Sequence, residues 1–211
     1  MPFRLFDLGL VDFFTAWQEQ KKIFTAVKEG FFPAALLFCQ HYPAITLGRQ
    51  TKKNNLRVKI EELGRRGIFL YTLERGGDIT YHGPGQLLAY PIFNLRYFGQ
   101  DIHLFLRRLE EAVIKTLASF DIFAQRKKGF TGVWVENKKI SSIGIAIRNW
   151  ITLHGLALNV ESADLENFSL IRPCGMDIEM TAMEAVLGRN IAIGQVKEKL
   201  IAQFQLAFEP S

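Results

Sequence analysis

The feature that most constrains the fold of this chain is a polar, glycine-rich segment, residues 75–86, enclosed by two apolar runs. The flanking residues 67–73 and 87–93 are rich in aliphatic and aromatic side chains, a composition typical of strands. Four glycines in the segment permit positive φ and let the backbone approach a ligand closely. The side chains there that can form polar contacts are Arg75, Asp78, Thr80, His82 and Gln86. The pattern predicts a functional loop between two strands, and a plain glycine-rich hairpin is the alternative.

Hydrophobic periodicity divides the rest of the chain into helices and strands. Apolar residues recur at helical spacing over residues 101–120, and Asp101 is a suitable N-cap for that helix. Further helices are predicted over residues 11–29, 59–66 and 195–208, and further strands over residues 34–41, 45–48, 131–135, 139–147 and 150–160. The last three strands follow one another directly and predict a meander. We therefore expect one α/β (α+β) domain over residues 1–211, with a mixed β-sheet flanked by helices.

Composition argues against several classes of protein. The 211 residues are 48% hydrophobic and include 18 phenylalanines, which is sufficient for a sizeable core. No apolar run approaches the roughly 18 to 20 residues of a membrane span, and the N-terminus has no signal-peptide pattern. Two cysteines are too few for a disulfide framework or a cysteine metal site. We expect a soluble protein of the reducing cytoplasm, with no metal.

The chain is basic, with a formal net charge of +5 and a pI near 9.2. Lysines and arginines form short groups, among them residues 52–53, 65–66, 107–108 and 126–128. A basic surface suits an acidic partner, because complementary charge raises the rate of encounter. The sequence has no zinc finger, no aromatic RNA-binding motif and no dense basic arm, so we do not expect nucleic acid. An acidic protein partner is the prediction that remains.

The two cysteines have contrasting contexts. Cys39 lies within an apolar run and is expected to be a buried structural residue. Cys174 lies between a proline and a glycine, which favour a turn where a thiol can be exposed. A cysteine nucleophile needs a nearby cation or base, because the thiolate is the reactive form. Lys139, at the start of a predicted strand, is a candidate partner, although an isolated lysine usually extends into solvent. Sequence spacing alone does not bring Lys139 and Cys174 together.

Four segments together resemble the lipoyl(octanoyl) transferases of lipoate biosynthesis: residues 75–86, 139–144, 154–159 and 173–175. They occur in the order of that family, and the resemblance extends over most of the chain. The resemblance implies the fold of the biotin and lipoate protein ligases. It also implies transfer of an octanoyl group from octanoyl-acyl carrier protein to a lysine of a lipoyl domain, in 2-oxoacid dehydrogenase complexes and the glycine cleavage H protein. No cofactor is implied, because a thioester donor is already activated.

Carried over position by position, the resemblance assigns Cys174 as the nucleophile that forms an acyl thioester and Lys139 as its partner lysine. It also assigns a substrate-binding wall, which consists of Arg75, Gly76, Gly77, Asp78, Ile79, Thr80, Tyr81, His82, Ser142, Ile143, Gly144, Gly155, Leu156 and Ala157. Small residues in this wall leave room for a methylene chain. Each buried CH₂ contributes about 0.8 kcal/mol, so an eight-carbon chain gains several kcal/mol from an apolar channel.

Alternatives remain at this point. His82 could be a second base or an oxyanion donor, although wall and scaffold roles are the expectation for both His82 and His154. An ATP-dependent lipoate or biotin protein ligase would share the glycine-rich loop and the lysine-led strand. Cys174 argues against that reading, because a ligase activates a free acid as an adenylate and needs no thiol nucleophile. A non-catalytic module that binds an acidic carrier domain is the alternative outside enzymology.

Overall fold

A computed structural model describes residues 3–173 and 177–209 of the protein. In chain order the strands are β1 (Arg4–Val11), β2 (Ala34–His41), β3 (Ala44–Leu47), β4 (Phe69–Thr72), β5 (Thr80–His82), β6 (Gln86–Phe93), β7 (Gln125–Lys127), β8 (Phe130–Val135), β9 (Lys138–Arg148) and β10 (Ile151–Asn159). The α-helices are α1 (Phe13–Lys28), α2 (Ile60–Arg65), α3 (Ile102–Ala118), α4 (Met183–Leu187) and α5 (Ile193–Ala207). Short 3₁₀ segments lie at Lys53–Asn55, Leu95–Tyr97 and Leu165–Leu170.

The strands form two sheets. The larger has the order β1-β2-β6-β10-β9-β8-β7, in which β1 and β2 are parallel and the other neighbours antiparallel. The smaller has the order β4-β3-β5, with one parallel and one antiparallel pair. The predicted mixed sheet flanked by helices is confirmed, and the predicted meander is β8-β9-β10.

Helices cover both faces of the larger sheet, as the near-continuous apolar sequence of its central strands requires. Side chains alternate along β2, so Leu36 and Phe38 pack on the side of α3 and α5, whereas Leu37 and Cys39 pack on the side of α1. We call these two sides the α3/α5 face and the α1 face. The core is therefore divided by the sheet into two layers.

Helix ends follow the predicted capping chemistry. Asp101 caps α3, and its side chain accepts a hydrogen bond from the Leu104 N–H at 3.0 Å. The first helix starts two residues later than predicted, because Asp12 accepts from the Thr15 N–H and so acts as its N-cap. No helix in the described ranges is long and apolar enough to cross a membrane.

Four elements were missing from the sequence prediction: β1, β5, β7 and α4. The side chains of β7 are all exposed, and those of β1 are exposed or only half-buried, so neither strand carries the apolar alternation by which strands are recognised. β5 is only three residues long and lies inside the glycine-rich segment. Pairing with a neighbouring strand, rather than local composition, forms these strands.

Candidate active site

A cavity of about 390 Å³ lies between the two sheets, within the range of roughly 300 to 1,000 Å³ typical of ligand sites. Its wall contains nearly all the residues that the resemblance assigned to substrate binding. These are Arg75, Gly76, Gly77, Asp78, Ile79, Thr80, His82, Ser142, Ile143, Gly144, Gly155, Leu156 and Ala157. Lys139 and Pro173 line the same cavity. The fold thus brings segments that are far apart in sequence to one concave surface.

Tyr81 is the predicted wall residue that the structure places elsewhere. Because successive side chains of a strand point to opposite sides, Thr80 and His82 face the cavity and Tyr81 faces away from it. Its ring packs against Phe168 at 5.6 Å between centroids, and its hydroxyl donates to Asp164 at 3.0 Å. Tyr81 therefore supports the loop from behind.

The floor of the cavity is the α1 face of β9 and β10. Ser142 pairs with Ala157, and Gly144 pairs with Gly155, so these four small residues form two successive rows of the sheet. Leu88 of β6 extends the first row, because it pairs with Ala157 from the other side. The floor therefore carries small side chains, which leave room for an acyl chain.

A β-bulge places Lys139 on this floor. Lys139 pairs with Trp134 and Ser141 pairs with Val133, which leaves Ile140 without a partner on β8. The extra residue shifts the alternation of side chains by one position. Lys139 and Ser142 therefore both line the cavity, while Ile140 packs into the α3/α5 core. In an unbulged strand, residues three apart would point to opposite faces.

The Lys139 side chain is 9% exposed and lies along the sheet. Its ammonium lies 4.9 Å from the centroid of the Trp134 ring. Its Cε lies 2.7 Å from the point that a Cβ on Gly132 would occupy, so only glycine fits there without displacing the lysine. Gly132 has a φ of 131°, a further reason for glycine at this position.

The glycine-rich loop is fixed to its surroundings by main-chain hydrogen bonds. The Gly76 N–H donates to the Ile145 carbonyl at 2.8 Å, which joins the loop to β9. On the opposite side, the Arg49 and Gln50 N–H groups donate to the Arg75 and Gly77 carbonyls, each at 3.0 Å. The loop is therefore clamped between the two sheets.

Side chains of the loop continue this network. The Arg75 guanidinium donates to the carbonyl and to the hydroxyl oxygen of Thr46, both at 2.8 Å. Burial lowers the pKa of Arg75 to about 10, so the group stays charged at neutral pH. The buried carboxylate of Asp78 forms a short hydrogen bond with the Asn55 amide and accepts from the Ile79 N–H at 2.6 Å.

The proton positions of His82 follow from its neighbours. Gln86 donates its amide N–H to the Tyr81 carbonyl at 3.1 Å, so its oxygen must accept from His82 Nδ1–H, also 3.1 Å away. The other ring nitrogen is then an acceptor and faces the Thr46 hydroxyl at 3.5 Å. Burial, together with the nearby His41 and Arg75, holds the pKa of His82 well below its usual value. Both ring nitrogens are thus engaged, which supports the expected scaffold role over that of a second base.

Beneath the cavity, His41 and Tyr90 form a second buried pair. His41 Nδ1–H donates to the Val11 carbonyl at 3.0 Å, so Nε2 accepts from the Tyr90 hydroxyl at 2.8 Å. Burial lowers the pKa of His41 to about 4 and raises that of Tyr90 well above its usual value, so both are neutral. Tyr90 lines the cavity and is thereby locked in orientation.

His154 also lines the cavity, and it pairs with Ile145, three residues beyond Ser142 along β9. Its backbone has a φ of 59°, unusual for a residue other than glycine, and its N–H donates to the Gln20 side chain at 2.9 Å. Its ring Nε2 lies 3.7 Å from a Glu74 carboxylate oxygen, and the interaction with His154 is the main reason that the pKa of Glu74 is lowered to about 2. His154 lies inside β10 rather than at its end, and it is the main chain of His154, not its ring, that makes this hydrogen bond to Gln20.

Cys174 lies outside the described residues. Its neighbours are nevertheless anchored on both sides: the Arg172 N–H donates to the Asn55 carbonyl at 2.7 Å, and the Thr181 N–H donates to the Lys139 carbonyl at 2.9 Å. Cys39 is buried as predicted, and burial raises its pKa strongly, which keeps it a neutral thiol. Within the described ranges, no group of three or more His, Cys, Asp or Glu residues is arranged to hold a metal ion.

Several wall residues were not found by sequence reasoning. Leu88 and Tyr90 lie in an apolar strand where any alternate residue could have faced the core, so their sequence carries no distinct signal. Phe13, Leu73 and Met180 come from three other elements or loops, and only the tertiary fold brings them together. The remaining unpredicted members are Gln50, Leu106, Gly129, Phe130, Thr131, Ile145, Phe168 and Pro173, whereas a wall role for His154 was expected.

The fold defines the class of protein to which this site belongs. A bi-partite lipoate protein ligase from Thermoplasma acidophilum superposes with a TM-score of 0.73 at 20% identity, over 98% of this chain and 84% of that one. Biotin protein ligase from Aquifex aeolicus superposes with a TM-score of 0.57 at 15% identity, over 99% of this chain and 70% of that one. The predicted biotin/lipoate protein ligase-like fold is confirmed.

Sequence comparison identifies the family within that class. The model of the lipoyl protein ligase A/B catalytic domain matches residues 12–205. An octanoyltransferase from Thermoanaerobacter sp. (strain X514) is 45% identical over 203 residues, which cover 95% of this chain and 88% of that protein. An octanoyltransferase from Bacteroides fragilis (strain YCH46) is 42% identical over 205 residues, 92% of each chain. The chain belongs to the lipoyl protein ligase A/B catalytic-domain family, and it is an acyltransferase.

Proposed function

We propose that this protein transfers an octanoyl group from octanoyl-acyl carrier protein to the target lysine of lipoyl domains, through an acyl thioester on Cys174. The relatives at 45% and 42% identity bear the name octanoyltransferase. The observation that carries the proposal is the shared cavity: Pro173, which directly precedes Cys174, lines the same cavity as Lys139 and the glycine-rich loop. Residues 1–211 would act as one catalytic domain, consistent with a family match over residues 12–205.

In the first half-reaction, Lys139 accepts the thiol proton of Cys174, and the thiolate attacks the carbonyl carbon of the donor thioester. The new bond joins that carbon to the Cys174 sulfur, and the bond to the carrier sulfur breaks. The Lys139 ammonium then protonates the departing carrier thiolate. Lys139 is neutral again when the carrier leaves.

In the second half-reaction, the neutral amine of the acceptor lysine attacks the acyl-enzyme carbonyl. An amide forms as the attacking nitrogen releases its second proton to solvent, the bond to the Cys174 sulfur breaks, and the departing thiolate takes from Lys139 the proton that Lys139 had removed from the acceptor ammonium. The acceptor has an unperturbed pKa near 10.4, so the site must remove its proton before attack. Lys139 is the base available on the cavity floor among the described residues.

Intact-mass analysis tests the covalent step. The protein mixed with octanoyl-acyl carrier protein should gain the mass of one octanoyl group, and the adduct should disappear on addition of a lipoyl domain. Cys174→Ala should form no adduct. Cys39→Ala is the matched control, because Cys39 is a buried neutral thiol, and it should be acylated like the parent. Full transfer activity in Cys174→Ala would eliminate the acyl-enzyme intermediate.

The same preparation separates this function from its alternatives. An ATP-dependent ligase would modify the lipoyl domain from free octanoate and ATP; the Thermoplasma neighbour is named a lipoate protein ligase. We expect no product from that mixture. A non-catalytic carrier-binding module would bind octanoyl-acyl carrier protein without forming any adduct.

A further inference from the structure

The far end of the cavity carries a buried polar group that no role described so far explains. His154 is 2% exposed and lines the cavity, yet its ring Nε2 has no hydrogen-bond partner within residues 3–173 and 177–209. The Glu74 carboxylate lies 3.7 Å away, beyond hydrogen-bond distance. The rings of His41 and His82, by contrast, have acceptors and donors at both nitrogens.

Sheet register gives the distance from the Lys139 amine to this group. The Lys139 Nζ lies 3.3 Å from the Cβ position of Gly132, and Gly132 pairs with Ser142, so the amine lies level with Ser142. His154 pairs with Ile145, three residues further along β9. At about 3.4 Å per residue, the two levels are roughly 10 Å apart.

An octanoyl chain has nearly this length. Its seven C–C bonds of about 1.5 Å each, in an extended zigzag, span roughly 9 Å from carbonyl to methyl. A chain whose carbonyl lies beside the Lys139 amine and which follows the sheet therefore ends level with His154. A decanoyl chain would extend about 2.5 Å further, into the space beside the imidazole and Glu74.

We propose that His154 is a specificity-determining residue, which ends the acyl cavity at the octanoyl length because its imidazole Nε2 has only the Glu74 carboxylate, 3.7 Å away, as a polar neighbour among the described residues. Longer chains would place methylene groups between the imidazole and this carboxylate and leave the buried nitrogen with no polar neighbour. The penalty corresponds to a factor of roughly 5 to 150 in kcat/KM, a range that spans the roughly 15-fold gain from two more methylenes. The proposal rests on the proposed octanoyl transfer.

The test compares hexanoyl, octanoyl, decanoyl and dodecanoyl carrier proteins as donors. The parent protein should prefer octanoyl, and His154→Leu should raise the ratio of decanoyl to octanoyl kcat/KM at least about fivefold. His103→Leu, at an exposed histidine of α3, is the matched control and should keep the parent profile. A His154→Leu variant with the parent's chain-length profile would overturn the proposal, since a purely structural role affects all donors alike.

A second measurement uses the parent protein alone, and it tests the proposed role of His154 even if His154→Leu does not fold. A donor with a terminal hydroxyl, 8-hydroxyoctanoyl carrier protein, places its O–H level with His154. We expect its kcat/KM to lie within about fivefold of octanoyl, whereas a wholly apolar cavity end would reject it by roughly 100-fold or more. Rejection of that size overturns the proposal. Absence of transfer from octanoyl carrier protein itself would instead refute the proposed function.

Discussion

The two faces of the larger sheet differ in the chemistry that they bury. The α3/α5 face is filled mainly by apolar side chains, including rings in mutual contact at Phe93, Phe105, Phe204 and Phe208, and its buried carboxylate, Glu110, is paired with Arg107 and Arg126. The α1 face buries His41, Tyr90, Gln20 and the loop network around Arg75, and the cavity opens onto it. One face therefore stabilises the fold, whereas the other holds groups whose burial has a cost unless they are hydrogen-bonded.

This contrast explains how an apolar cavity can coexist with a rigid polar loop. Each polar side chain in the Arg75–Thr46–His82–Gln86 network has a defined partner, so the network orders the loop without exposing unsatisfied groups. Apolar side chains of the opposite face need no orientation beyond close packing. Substitutions on the two faces should accordingly separate activity from stability.

The largest effect is expected at the floor of the cavity. Lys139→Met should lower kcat/KM for octanoyl transfer by roughly 10²- to 10⁴-fold, because the proton-transferring amine is removed while its stem is kept. The melting temperature should change little. Lys138→Met is the control, since the neighbouring lysine is exposed and pairs with Glu179 at the surface, and it should retain activity. Equal losses in both variants would contradict the role of Lys139.

On the opposite face, Phe204→Ala should lower the free energy of unfolding by about 3 to 5 kcal/mol, measured by urea denaturation. The side chain is fully buried between Phe3 and Phe208, so its removal leaves a cavity. Phe123→Ala is the control at a ring that is 93% exposed and should change stability by less than about 0.5 kcal/mol. In both variants, the amount of octanoyl adduct formed per folded molecule should equal that of the parent protein.

The buried histidine His41 on the α1 face predicts that the protein loses stability in acid. His41 has a folded-state pKa of about 4, against 6.5 for its ordinary value, so between these pH values the unfolded chain binds more protons. The free energy of unfolding should therefore fall as pH decreases from 6.5 to about 4, by about 3 kcal/mol from this residue. Urea denaturation at several pH values measures the slope. His41→Gln, which can keep both hydrogen bonds, should flatten it, and an unchanged slope would refute the assignment.

The smallest effect is expected where the loop meets the sheet. A Cβ on Gly144 would lie 3.0 Å from the Gly76 carbonyl oxygen and 3.4 Å from Arg75 Cδ. Gly144→Ala should therefore lift the loop slightly, raise KM several-fold and cost about 1 kcal/mol of stability. Gly64→Ala in α2, where a Cβ would meet nothing within 4 Å, should be neutral or slightly stabilising. If the Gly144→Ala enzyme keeps the parental KM, the loop accommodates the added methyl group without any effect on substrate binding, and the prediction is wrong.

Local sequence predicted the elements that bury apolar side chains. Strand β2 was predicted with its observed bounds, and α3 with its Asp101 cap, because periodicity and capping are properties of neighbouring residues. The glycine-rich loop was also predicted, since few other patterns combine glycine with charge between two strands, whereas its wall residues were assigned by the resemblance to the lipoyl(octanoyl) transferases. Tyr81 was assigned to the wall because strand alternation within the loop was not foreseen.

The sequence by itself determined which residue types were available for chemistry and on which elements they lie. Only the tertiary structure decided how Lys139 enters the cavity, through a bulge at Ile140, and which histidine keeps a free nitrogen. The physical reason is that a bulge and a tautomer depend on strand register and on partners tens of residues away. Helical and strand periodicity, in contrast, arise from side chains a few residues apart.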